Sequence, residues 1–128
     1  MGEVVGTDEF KDWYEELARQ PDPADLESVT VAVGLLEARG VALGHPYSSA
    51  IRGTRHPIRE LRVQSGGRPL RVFYAFDPRR QAVLLLGGDK SGNDRFYETF
   101  VPRAERIWEG YLEEQQAGLH DEVKEGGP

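Results

Sequence analysis

Arg62, Arg71 and Lys90, with Arg68 between the first two and Tyr97 after the last, are the side chains whose types and spacing can do chemistry. Guanidinium groups suit phosphate, because their planar fork gives paired, charge-assisted hydrogen bonds. Side chains on a β-strand alternate between two faces. If residues around 62 and 71 form strands, Arg62 lies opposite Leu61 and Val63, and Arg71 lies opposite Leu70 and Val72. Both arginines then share one face. Arg68 sits in the connecting turn, Lys90 follows the next strand, and Tyr97 opens the last helical region, so together they can surround one cationic surface. Cleaving RNA without a metal needs three things: the 2′-hydroxyl must lose a proton, the crowded phosphate must be stabilised, and the 5′-oxygen must leave protonated. Lys90 and an arginine can hold the phosphate. Tyr97 can stack on a base or assist proton transfer, but at its ordinary pKa of about 10 it is a poor base unless cations lower it.

Other chemistries fit less well. The chain has no cysteine, which removes disulfides, thiolate metal sites and thiol nucleophiles. His45 and His56 fall in an irregular stretch and His120 near the end, with no metal-ligand spacing among them. Gly87-Gly88-Asp89-Lys90-Ser91-Gly92 superficially suggests a phosphate loop but lacks the G-x-x-x-x-G-K-[ST] pattern. No metal and no cofactor are therefore expected.

Charge is distributed in three blocks. The net charge of −6 argues against a polyanion partner at first sight. Residues 1–50 carry −7, residues 51–106 carry +6, and residues 107–128 carry −5. A basic middle between acidic ends can mark a polyanion site on an acidic protein. At 128 residues, 38% hydrophobic and 30% charged, the chain fits one soluble domain. The longest apolar run, Ala82 to Leu86, is strand length, and the N-terminus has no secretory pattern. No membrane association and a cytoplasmic location are expected.

The elements that must position these residues follow from periodicity. Glu3–Gly6 can form a short strand, and Thr7 or Asp8 caps a helix carrying Phe10, Trp13, Tyr14 and Leu17. Pro21-Asp22-Pro23 breaks it. A second helix, with Asp22 as cap and Pro23 at its first position, carries Leu26, Val29, Val33 and Leu36 and ends at Gly40, giving a helical hairpin. Residues 41–57 read as irregular. Ile58–Ser65, Leu70–Phe76 and Ala82–Leu86 read as an antiparallel meander, which the N-terminal strand can join. Asp94 is expected to cap a short helix with Phe96, Tyr97 and Phe100, and Pro102 to restart a longer one with Ile107, Trp108, Tyr111 and Leu112 inside. An acidic, breaker-terminated tail, 118–128, is expected to be disordered after a domain spanning 1–117. The order predicts an α+β fold, a helical hairpin and a C-terminal helix on an antiparallel sheet of three to four strands. Helices on one face would leave the other sheet face free.

Arg59-Glu60-Leu61-Arg62-Val63, Arg71-Val72-Phe73-Tyr74-Ala75-Phe76-Asp77, Leu85-Leu86-Gly87-Gly88-Asp89-Lys90 and Asp94-Arg95-Phe96-Tyr97 together resemble the RelE/HigB toxin family in its phage-derived, HigB-like branch. Val101-Pro102-Arg103-Ala104 and the N-terminal Thr7–Trp13 segment are similar too. The resemblance implies a small RelE-like fold and a type II toxin–antitoxin role, in which the toxin docks in the ribosomal A site and cuts the messenger RNA. It also implies neutralisation by a cognate antitoxin carrying a helix-turn-helix domain. By position, Arg71, Lys90 and Tyr97 resemble the family's catalytic residues, and Arg62 falls near its basic position on the preceding strand; Arg62, Arg68 and Arg95 are expected as RNA contacts. Asn93 stands where better-studied members carry a further arginine, and the histidine some HigB members use near the C-terminus has no counterpart. A gyrase-poisoning toxin of the ParE kind and a non-catalytic, antitoxin-binding module of the same fold stay open as alternatives.

Overall fold

The computed structural model describes residues 3–126, with side chains described for 3–118. Strand β1 (Val4–Gly6) leads into helix α1 (Asp8–Ala18), and helix α2 (Ala24–Arg39) follows a tight reversal. Strands β2 (Ser48–Ala50), β3 (Arg59–Ser65), β4 (Arg68–Phe76) and β5 (Ala82–Asp89) precede helix α3 (Phe96–Gly126). The strands make one five-stranded sheet in the order β1-β5-β4-β3-β2. The pairs β2·β3, β3·β4 and β4·β5 are antiparallel, and β1 runs parallel to β5. The fold is thus α+β, with a mixed sheet one strand larger than the three or four expected. The extra strand, β2, lies in the stretch read as irregular.

Local chemistry sets the ends of the N-terminal helices. Thr7 is the N-cap of α1, its side chain accepting the Phe10 N–H at 3.2 Å. Its hydroxyl also reaches the carbonyls of Leu84 and Leu85, at 3.0 and 2.9 Å, tying the helix start to β5. Pro23, not Asp22, is the boundary residue of α2, and the Asp22 carboxylate accepts the Ala24 N–H at 3.0 Å. Gly40 closes α2 at φ 54°, a left-handed conformation that favours glycine.

Both faces of the sheet are covered, which corrects the expected free face. Leu61, Val63, Leu70, Val72, Tyr74 and Leu84 pack against Phe10, Leu17, Val29 and Leu36 of the α1–α2 hairpin. Phe73, Ala75, Val83, Leu85 and Leu86 pack against Phe96, Ala104 and Trp108 of α3. Each fully buried side chain of this size contributes roughly 1.5–3 kcal/mol. Helix α3 is continuous through Pro102 rather than restarting there. The proline forfeits one intrahelical hydrogen bond, and burial of Ala104 and Trp108 on the sheet offsets that loss. Asn93, not Asp94, organises its entry: the Asn93 side chain accepts the Arg95 N–H at 3.1 Å, and the Asn93 carbonyl accepts that of Phe96 at 3.2 Å. The helix runs on to Gly126, into the stretch 118–128 expected to be a disordered tail. The side chains from 119 onward, His120 and most of the acidic tail among them, lie outside those described. No helix among the described residues is long and apolar enough to cross a membrane.

One irregularity decides which residues meet. Along the β4·β5 ladder Phe73 pairs with Leu86 but Tyr74 pairs with Leu84, so Leu85 is an extra residue on β5. Such a β-bulge reverses the phase of everything beyond it. Before the bulge, Ala82 and Leu84 face the hairpin; after it, Leu86, Gly88 and Lys90 face α3.

Candidate active site

The face of the sheet under the start of α3 gathers three of the predicted cations, Arg62, Arg71 and Lys90. Arg62 and Arg71 are direct cross-strand partners, and Arg71 pairs across its other side with Gly88. Like charges opposite one another repel. Glu60, in phase with Arg62 one step back on β3, supplies the counter-charge: its Oε1 lies 3.1 Å from Arg71 Nε. Both side chains are over nine-tenths buried. The pair is not fully satisfied, because Arg71 Nε lacks a well-directed hydrogen bond, while Nη1 donates to the Leu70 carbonyl at 3.0 Å.

Tyr97, in the first turn of α3, donates its hydroxyl to Glu60 Oε1 at 2.6 Å. Ser49 on β2 donates to the other carboxylate oxygen at 3.3 Å. The Tyr97 ring is held edge-on by Phe73 and Phe96, and the Lys90 ammonium lies 5.1 Å from its centroid, a cation–π contact. Burial, then the hydrogen bond to Glu60, pushes the Tyr97 phenol above its ordinary pKa, and Arg71 opposes this without reversing it. The condition under which Tyr97 could serve as a base, a phenol lowered by its cationic neighbours, is not met: Tyr97 is a hydrogen-bond donor held on a carboxylate. Beside the group lies an open cleft of about 540 Å³, with Arg52 and Glu60 on its walls and Ile51 and Val101 as apolar lining.

Arg71, Lys90, Tyr97 and Arg62 thus share one side of the molecule. Arg68 does not. It faces the hairpin, where it pairs with Asp25 of α2 and, at 2.9 Å, with Asp89. Those carboxylates occupy its guanidinium on the opposite face of the sheet from Lys90 and Tyr97, so the structure does not bring Arg68 together with them. Arg95 is exposed in the turn before α3. Asn93, at the family's missing arginine, instead helps to form the entry to α3. Of the histidines, His56 bonds Glu109 of α3 at 2.9 Å, well down the helix from Tyr97. Sequence reasoning missed Glu60. Its signal was phase: it alternates with Arg62, on the face assigned to chemistry.

Comparison with known proteins places these features in a family. Residues 15–109 match the family described as phage derived protein Gp49-like (DUF891). The chain is 38% identical over 117 residues to “Putative toxin HigB3” of Mycobacterium tuberculosis (strain ATCC 25618 / H37Rv), covering 90% of this chain and 97% of that protein. It is 34% identical over 115 residues to “Putative toxin HigB2” of the same organism, covering 88% of this chain and 55% of that longer protein. The chain belongs to the phage-derived Gp49-like family, in its HigB-like branch.

Proposed function

We propose that this chain is the toxin of a type II toxin–antitoxin system and acts as a metal-independent endoribonuclease that cuts messenger RNA on the ribosome. The kinship to proteins named as HigB toxins supports the toxin role. The observation that carries the chemistry is the convergence of Arg71, Lys90, Tyr97 and Glu60 on one side of the sheet.

The roles follow from position. Glu60 accepts the proton of the 2′-hydroxyl, and the 2′-oxygen attacks the adjacent phosphorus. Arg71, with Arg62 beside it, stabilises the charge that gathers on the non-bridging oxygens. The bond from phosphorus to the 5′-oxygen breaks, leaving a 2′,3′-cyclic phosphate and a 5′-hydroxyl. Lys90, separated from Glu60 by the Tyr97 ring, gives the departing oxygen its proton. Tyr97 aims the carboxylate and offers its ring as a stacking surface for a base. Arg95 is an outer contact for the RNA backbone.

Primer extension on a reporter message from induced cells tests this. Wild type is expected to give discrete cuts within the translated region, and Glu60→Gln to reduce them by about 10²–10⁴-fold, the usual worth of a general base. Intact messages from cells holding folded wild-type protein would overturn the reading. DNA damage with intact messages would point to gyrase instead.

A further inference from the structure

We propose that the uncovered half of the β3 edge, with the groove between it and α2, is where the cognate antitoxin docks, by adding an extended segment whose apolar side chains enter the groove and whose carboxylate reaches Arg62 and Arg71. Strand β2 covers only Arg59 to Leu61 of β3, and the Arg62 N–H is taken by the Tyr47 carbonyl at 2.8 Å. Backbone groups alternate in direction along an antiparallel strand, so those of Gln64 point the same way, and among the described residues they meet no partner. An open strand edge is a template for pairing with another chain.

The groove beside this edge measures about 670 Å³ and is lined by Val31, Ala32 and Leu35 of α2, by Tyr47, and by Val63. Val31 is 73% exposed and Tyr47 46%, two of the three large exposed apolar side chains among the described residues. The same groove is also lined by Arg62 and Arg71. Arg71 brings a nearly buried guanidinium whose Nε makes no well-directed hydrogen bond. Apolar lining, the open backbone edge at Gln64 and two lining cations together select a polypeptide with apolar side chains and a carboxylate. A nucleic acid fits worse, because most of the lining is apolar and Glu27, also in the lining, repels phosphate. Docking here also places a competing anion at the arginine assigned to the scissile phosphate. The site rests on the toxin reading but not on cleavage: a protein that binds its antitoxin through this edge yet leaves messages whole would sink only the nuclease.

The test titrates the full chain with the purified antitoxin encoded beside its gene, by calorimetry. Val31→Asp changes an exposed position and is expected to leave the melting temperature unchanged while weakening binding at least about tenfold, as loss of an interface anchor does. Arg106→Glu on the far side of α3 is expected to leave binding unchanged. Amide exchange at Gln64 is expected to slow when antitoxin binds. No binding by wild type, equal affinity of Val31→Asp and wild type, equal losses in both variants, or Gln64 protected by an RNA oligonucleotide but not by antitoxin would each overturn the proposal. So would self-association of wild type through this edge that Val31→Asp abolishes.

Discussion

Glu60 and Tyr97 form a donor–acceptor pair whose protonation pattern has measurable consequences. Because the Tyr97 proton is held more tightly than in free tyrosine, tyrosinate does not form at neutral pH, and the role proposed for the residue is positioning. Tyr97→Phe is expected to slow cleavage by roughly 10–100-fold, the worth of one hydrogen bond to a charged group. It is expected to keep the wild-type pH profile from about pH 6 to about pH 9, below the ordinary tyrosine pKa. Single-turnover cleavage across that range checks this, and a rate that climbs with pH in wild type but not in the variant would make Tyr97 the base. A second tyrosine reports on stability. Tyr111 donates to Asp77 at 2.9 Å, and burial, then that carboxylate, pushes its pKa up to about 12. The folded protein thus keeps a proton that the unfolded chain releases at about pH 10. The stabilisation is whole below about pH 10 and lost as pH rises through about 12. Thermal melts across this window are expected to show a steeper fall for wild type than for Tyr111→Phe.

The bulge at Leu85 is what turns separate elements into a site. Without it, strict alternation from Leu84 sends Lys90 toward the hairpin, away from Tyr97. Thr7 holds the bulged segment through the carbonyls of Leu84 and Leu85 while capping α1. Thr7→Ala is expected to cost about 1–2 kcal/mol in urea denaturation and also to lower cleavage, with Thr7→Ser restoring both. Beyond the bulge a Cβ on Gly88 would lie 2.6 Å from the Phe100 ring, and one on Gly87 2.2 Å from Trp13. Gly87→Ala or Gly88→Ala is therefore expected to destabilise by about 1–3 kcal/mol through overpacking. The sequence shows the helical hairpin, the β3–β4–β5 meander and the shared phase of Arg62 and Arg71, because alternation there is clean. It hides the bulge, because Leu84-Leu85-Leu86 is apolar throughout and carries no phase. It hides the role of Glu60 for a related reason: a glutamate beside arginines reads as a solvated face until α3 covers it. Arg68 is misread because the turn is shorter than Ser65–Arg68, which makes residue 68 the first of β4, in phase with Leu70.

Over the whole molecule, the charge blocks of the sequence do not map simply onto surfaces. Part of the basic middle is spent internally: Arg68 clamps α2 to the sheet through Asp25 and Asp89, and Arg55 pairs with Glu105 and Glu109 of α3. Arg68→Ala is accordingly expected to lower the urea midpoint and leave cleavage by the remaining folded protein unchanged, whereas a residue gripping RNA would do the reverse. The parallel pairing of β1 with β5 has a further consequence, for synthesis. Val4 to Gly6 wait for Ala82 to Leu84, and the Thr7 hydroxyl for carbonyls 77 and 78 residues downstream. Contacts so distant along the chain form late. A nascent polypeptide therefore cannot finish its sheet until the strand leading to Lys90 has left the exit tunnel, so the candidate site comes together only when synthesis of the chain is nearly complete.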